Sequence, residues 1–172
     1  MNFNNKMLQD IHTYAMKILS YRMHTVSEIC KKFEDKGYTN SEIEEEIETL
    51  LHYKYLSDVE YARAFVKYGL SKRKSLYRIK RELLSKGVGQ HDIDDGIEEY
   101  LLDNDDINMQ EYANALNEAN KIYSSSKNRA NFDRQKLHAK INRRLAYLGY
   151  NTSMIISVIE EVERRNDSEQ DL

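Results

Sequence analysis

The chain has 172 residues, no proline, one cysteine and a formal charge of −3. That length allows one or two compact domains or a short repeat array, and the lack of proline, which breaks helix interiors, points to an almost wholly helical chain. A lone cysteine excludes an internal disulfide framework, no apolar run approaches the roughly 18 residues of a membrane-crossing helix, and Met1 to Gln9 is too polar for a signal peptide, so a cytoplasmic protein is expected.

Tyr14-Ala15 opens an apolar pattern that continues through Ile18 and Leu19, the mark of a first helix. A second follows, with Ile29 and Phe33 four apart on one face and Gly37 closing it in the left-handed conformation. Tyr38 can fold back on that last turn, Thr39-Asn40-Ser41-Glu42 supplies caps, and Ile43 and Ile47 stripe a third helix. The cycle restarts at Tyr61-Ala62 with Phe65 and Val66, then Ile79 and Leu83, Gly87, Val88, the caps Gln90-His91-Asp92, and Ile93 and Ile97. A third copy begins at Tyr112-Ala113 with Leu116 and crosses a polar loop at Ser124-Ser125-Ser126-Lys127-Asn128. It continues through Ile141, Leu145, Gly149 and Tyr150 to the caps Asn151-Thr152-Ser153 and to Ile155 and Ile159. The alanine of each Tyr-Ala pair is expected to let two helices approach closely. The predicted fold is all-α: three tandem three-helix repeats over 8–53, 54–103 and 107–165, stacked into an elongated, curved array, with a frayed tail over 166–172.

Charge is segregated along this frame. From Tyr61 to Gly87 the chain carries Arg63, Lys67, Lys72, Arg73, Lys74, Arg78, Lys80, Arg81 and Lys86 against Glu82 alone. From Lys121 to Gly149 it carries Lys121, Lys127, Arg129, Arg134, Lys136, Lys140, Arg143 and Arg144 against Asp133, and the stretch from Asp92 to Glu118 between them is purely acidic. Counted back from their glycines, Lys74, Arg78 and Arg81 hold the same places as Lys136, Lys140 and Arg143. At about 100° per residue these lie opposite the apolar stripes, which predicts two matching basic ridges. The first repeat has only His24, Glu28 and Lys31 there. The candidate polyanion-binding residues are therefore Arg63, Lys67, Lys72, Arg73, Lys74, Arg78, Arg81, Lys136, Lys140, Arg143 and Arg144, with Tyr77 and Tyr147 able to stack on bases.

No catalytic constellation, cofactor motif or metal-ligand spacing accompanies them. The histidines His12, His24, His52, His91 and His138 stand apart, there is no glycine-rich phosphate loop, and Cys30 reads as a half-buried structural thiol. A binding protein rather than an enzyme is expected.

The stretch from Tyr55-Leu56-Ser57-Asp58-Val59-Glu60-Tyr61-Ala62-Arg63 through Arg78-Ile79-Lys80-Arg81-Glu82-Leu83-Leu84-Ser85-Lys86-Gly87-Val88 closely resembles the signature of the RecX family, and Ala15 to Tyr38 resembles that family's first repeat. The family often has an acidic pair where this chain has Ser57-Asp58, and glycine near Ser75. The resemblance implies a bacterial, non-enzymatic regulator, acting as a monomer, that lodges in the groove of the RecA–single-stranded-DNA filament. Such a protein restrains the filament's ATPase and strand exchange, and so modulates recombination, DNA repair and the SOS response. It also implies that some members contact single- or double-stranded DNA, here through the basic ridges. Two other readings compete. A helix-turn-helix regulator needs a basic recognition helix, yet the helices after the glycine turns, Glu42 to Glu48 and Asp92 to Glu99, are acidic. A helical-repeat module without recombinase specificity would bind DNA or only proteins, and salt dependence separates those two.

Overall fold

The computed structural model of the chain describes residues 10–104, 106–127 and 133–168. Nine α-helices and no strand occur among the described residues: α1 (Ile11–Leu19), α2 (Val26–Lys36), α3 (Asn40–His52), α4 (Asp58–Ser71), α5 (Leu76–Ser85), α6 (Gln90–Leu102), α7 (Ile107–Lys127), α8 (Arg134–Leu148) and α9 (Thr152–Ser168). They follow the expected three-helix repeat. The chain divides into two compact units, residues 1–63 with 83–96 and residues 64–82 with 97–172, so α4, α5 and α6 each have residues in both.

In the first unit, α1, α2 and α3 close on a core of Ala15, Ile18, Ile29, Phe33, Tyr38, Ile43, Leu50 and Leu56. Each helix start is held by its own sequence. The Asp10 carboxylate accepts from the Thr13 N–H, the Thr25 hydroxyl accepts from the Glu28 N–H, and Thr39 with Glu42 forms a reciprocal capping box. Gly37 ends α2 with φ 93° and donates its N–H to the carbonyls of Phe33 and Glu34. The same unit joins the first repeat to the turn of the second. The Thr25 hydroxyl donates to the Lys86 carbonyl at 2.9 Å, and the Val26 N–H donates to Asp58 at 2.9 Å.

In the second unit, α7, α8 and α9 enclose Ala115, Leu116, Ala119, Tyr123, Leu137, Ile141, Leu145, Leu148, Tyr150, Ile155, Val158 and Val162. Gly149 ends α8 with φ 93°. Here the Ser75 N–H donates to the Leu148 carbonyl at 2.9 Å, and the Leu76 N–H donates to Glu111 at 2.7 Å. Thr25 and Ser75 both stand twelve residues before their own glycine, so the two joints are built in the same register. The left-handed position two residues before Ser75 is taken by Arg73 (φ 59°), and the Ser75 hydroxyl caps α5 by accepting from the Arg78 N–H.

Two expectations fail. The polar loop at Ser124–Lys127 is helix, the last turn of α7. The hydroxyls of Ser125 and Ser126 both donate to the Ile122 carbonyl at 2.8 Å, so they bond along the helix instead of breaking it, and Tyr123 stays buried on its inner face. Asn128, the last residue of that expected loop, lies outside the described residues. The third Tyr-Ala pair is also out of phase. Ala113 is exposed, and Ala115 and Ala119 are the buried alanines of α7, because the Tyr112 ring only packs against the edge of that core. Of the tail expected to fray from 166, residues up to Ser168 are helical, and 169–172 lie outside the described residues.

Candidate functional site

The expected basic residues collect mainly in the second unit, where the start of α5 meets the end of α8. The unit's own chemistry explains why they converge there. Seating Ser75 on the Leu148 carbonyl brings Arg78 onto Tyr147 and Arg73 to the carboxylate that also holds Arg144. Two carboxylates organise them. Glu118 on α7 takes Arg73 at 2.5 Å and Arg144 at 2.8 Å, one on each oxygen. Glu82 on α5 takes Lys74 at 2.5 Å and Arg78 at 2.9 Å. Four cations against two carboxylates leave the cluster positive.

Burial works to raise the carboxyls of Glu82 and Glu118, but the hydrogen bonds from their cations prevail and hold both below the ordinary range. Arg78 also donates to the Tyr147 carbonyl. Its guanidinium lies 4.6 Å from the Tyr147 ring centre, with that of Arg144 at 5.9 Å. Tyr147 as a residue is 64% exposed. Tyr77, equally exposed, has Arg81 over its face at 5.9 Å. Beneath the cluster, the Tyr150 hydroxyl donates to the Arg73 carbonyl at 2.9 Å. Burial, reinforced by Glu111 and Glu118, pushes the Tyr150 phenol well above its ordinary value and keeps it a donor.

The remaining candidates distribute differently. Lys72 is exposed over the Tyr68 ring, and Lys136 pairs with Asp133 at 3.5 Å. Lys67, Lys140 and Arg143 are exposed and make no ion pair among the described residues. Arg63 belongs to the other unit, 3.6 Å from Glu60. The expected ridge on α5 is therefore reshaped: Lys74 stands ahead of the helix, Lys74 and Arg78 turn to Glu82, and Arg81 is left facing out. Sequence reading missed Glu82 and Glu118 as organisers. The four-residue spacing of Arg78 and Glu82 was the available signal for the first, and no local signal marks the second. Among the described residues, no group of three or more histidine, cysteine, aspartate or glutamate side chains could hold a metal ion, and no helix is long and apolar enough to cross a membrane.

Known proteins resemble this chain in sequence and in fold. Residues 12–50 match the first three-helix domain of RecX, and residues 57–97 match its second. A regulatory protein RecX from Clostridium beijerinckii is 34% identical over 148 residues, covering 86% of this chain and 66% of that protein. The chain belongs to the RecX family. Another regulatory protein RecX, from Bacillus pumilus, is 28% identical over 158 residues, covering 91% of this chain and 57% of its own length. The chain thus spans between 57% and 66% of these two RecX relatives. The crystal structure of RecX from Lactobacillus salivarius aligns with a TM-score of 0.74 at 21% identity, over 89% of this chain and 94% of that one. A second RecX crystal structure aligns at 0.72 and 22% identity, over 87% and 71%. At these identities the structures bear on the fold alone, and they carry the same helical architecture.

Proposed function

We propose that the protein is a non-enzymatic regulator that binds the RecA–single-stranded-DNA filament and inhibits its ATPase and strand exchange, thereby modulating recombination, repair and the SOS response. The observation that carries this reading on the chain itself is the positive cluster of Arg73, Lys74, Arg78 and Arg144, linked through Glu82 and Glu118, with Arg78 and Arg144 against the exposed Tyr147, in a protein of net negative charge. A polyanion, or an acidic groove wall, is attracted to such a surface, while the acidic remainder of the molecule discourages indiscriminate binding. Lys140 and Arg143 on α8 and Arg81 on α5 extend the cationic face outward without the support of carboxylates at their own positions.

The test is the single-strand-dependent ATPase of the cognate recombinase, titrated with the protein at two salt concentrations. Inhibition at substoichiometric protein supports the reading. Unchanged ATPase together with salt-sensitive binding to naked DNA favours a general nucleic-acid-binding repeat module instead. The triple variant Arg81→Gln/Lys140→Gln/Arg143→Gln spares the Glu82 and Glu118 pairs. If its three cations all meet strand phosphates, the log–log salt slope of single-strand binding falls by about 2. An unchanged slope would remove these residues from the interface.

A further inference from the structure

The first unit carries a second basic feature, unrelated to the glycine register. Between α1 and α2 lies a cavity of about 420 Å³, lined by Tyr14, Lys17, Ile18, Tyr21, Arg22, His24 and Lys32. That volume lies within the usual range of small-ligand sites, and the lining combines an apolar floor, aromatic walls and cations. The three cations are not neutralised equally. Arg22 is bonded to Glu28 at 2.9 Å, whereas Lys17 and Lys32 have no carboxylate partner among the described residues. Glu28 is itself shared with His24 and Lys86. His24 is buried, and desolvation holds its imidazole below the ordinary value, so at neutral pH it adds a neutral polar group to the floor.

The aromatic walls differ as well. The Tyr14 ring is already engaged by Phe33, Tyr38 and the Lys36 ammonium. Tyr21 is 76% exposed and makes no ring contact among the described residues. A ring left bare beside two unpaired lysines suits a ligand that joins a planar π-face to a negative group.

We propose that this pocket binds a nucleotide, with its phosphate between Lys17 and Lys32 and its base stacked on Tyr21. The site lies outside the cluster around Tyr147, and the inference does not rest on the recombinase reading. Two sources offer the same chemistry: a free nucleotide, or one unit of a single strand.

The experiment follows the backbone amide signals of the isotope-labelled full chain by NMR during titration with ADP, with a tetrathymidylate strand, or with inorganic pyrophosphate. Movement of the Lys17, Tyr21 and Lys32 signals by ADP or by the strand is the expected result, and whichever probe acts identifies the source. Pyrophosphate, lacking a base, should bind at least about tenfold more weakly. The variant Lys17→Glu/Lys32→Glu should lose binding to the active probe by about tenfold or more, and Tyr21→Ala should erase its advantage over pyrophosphate, with helical circular dichroism intact in both. Signals moving only around Arg78 and Tyr147, no movement at millimolar ADP or strand, or equal affinity for pyrophosphate would each overturn the proposal.

Discussion

At Gly87 a threonine hydroxyl meets the carbonyl one residue before the turn, and at Gly149 a serine backbone N–H meets the equivalent carbonyl. In each joint an acidic side chain from a first helix then takes the next backbone N–H, Asp58 for Val26 and Glu111 for Leu76. The residue at the centre of each joint has the opposite charge. Nine residues before its glycine, the first repeat has Glu28, which gathers Arg22, His24 and Lys86. The second repeat has Arg78 at that place, and its neighbours leave a positive surplus around Tyr147. The backbone plan tolerates either sign, so the fold leaves electrostatics free to differ between the joints.

The largest effects should come from the turns. An added Cβ at Gly87 would lie 2.4 Å from the Ser27 Cβ, and one at Gly149 would lie 2.6 Å from the Arg78 Cβ; at Gly37 it would meet nothing within 4 Å. All three have positive φ. Gly87→Ala and Gly149→Ala should each cost about 2–4 kcal/mol in urea unfolding, from backbone strain plus overpacking, against about 1 kcal/mol for Gly37→Ala. Equal losses at all three would mean that packing in the joints adds nothing to the backbone strain that Gly37 shares, and unequal losses at Gly87 and Gly149 would break the equivalence of the two joints.

Next comes Glu118→Gln, which strips the shared anion from Arg73 and Arg144. It should cost about 1–2 kcal/mol and at the same time tighten binding to single-stranded DNA at low salt. Weaker binding would mean that the carboxylate orients the arginines for their partner. Ser75→Ala removes the cap on α5, and about 1 kcal/mol of thermal stability is expected to go with it.

The smallest effect is at Glu111, whose carboxyl is raised by burial against the opposing pull of the Leu76 N–H. A raised carboxyl penalises the folded state progressively as pH climbs from the unfolded value of about 4.3 through the folded one. Glu111→Gln keeps an acceptor for Leu76 and removes the charge, so it should flatten that decline, with a gain below about 1 kcal/mol at neutral pH. Glu82 and Glu118, whose values are lowered, act in the other direction: their contribution is present above about 4.3 and is lost as pH falls through their folded values.

The core was legible wherever a glycine set the phase. Ile29, Phe33, Ile79, Leu83, Ile141 and Leu145 are all essentially inaccessible, as their spacing from the turns requires. Nothing comparable fixes α7, where Tyr112-Ala113 imitates the earlier pairs two residues too soon for Ala115. Serine composition likewise misled at Ser124–Lys127, since a hydroxyl that bonds one turn back is compatible with a helix. At the candidate site, charge counting found the right stretches but treated Glu82 as a lone offset. Its hold on Lys74 and Arg78 depends on how the loop before α5 folds, and Glu118 reaches Arg73 from 45 residues away.

The two joints also have a direction. In each, the start of a second helix in one copy contributes the donor, and the turn of the following copy contributes the acceptor, so the mating surfaces are not copies of each other. In the language of symmetry each joint is a heterologous contact, whose two sides differ and which a two-fold pairing cannot satisfy. The carbonyl of Lys36, just ahead of Gly37, occupies the acceptor position that Lys86 and Leu148 occupy in the later copies, and the surroundings of that turn are open to a Cβ. Within one polypeptide, each joint thus has the asymmetry of a heterologous subunit contact, in which neither face pairs with a copy of itself.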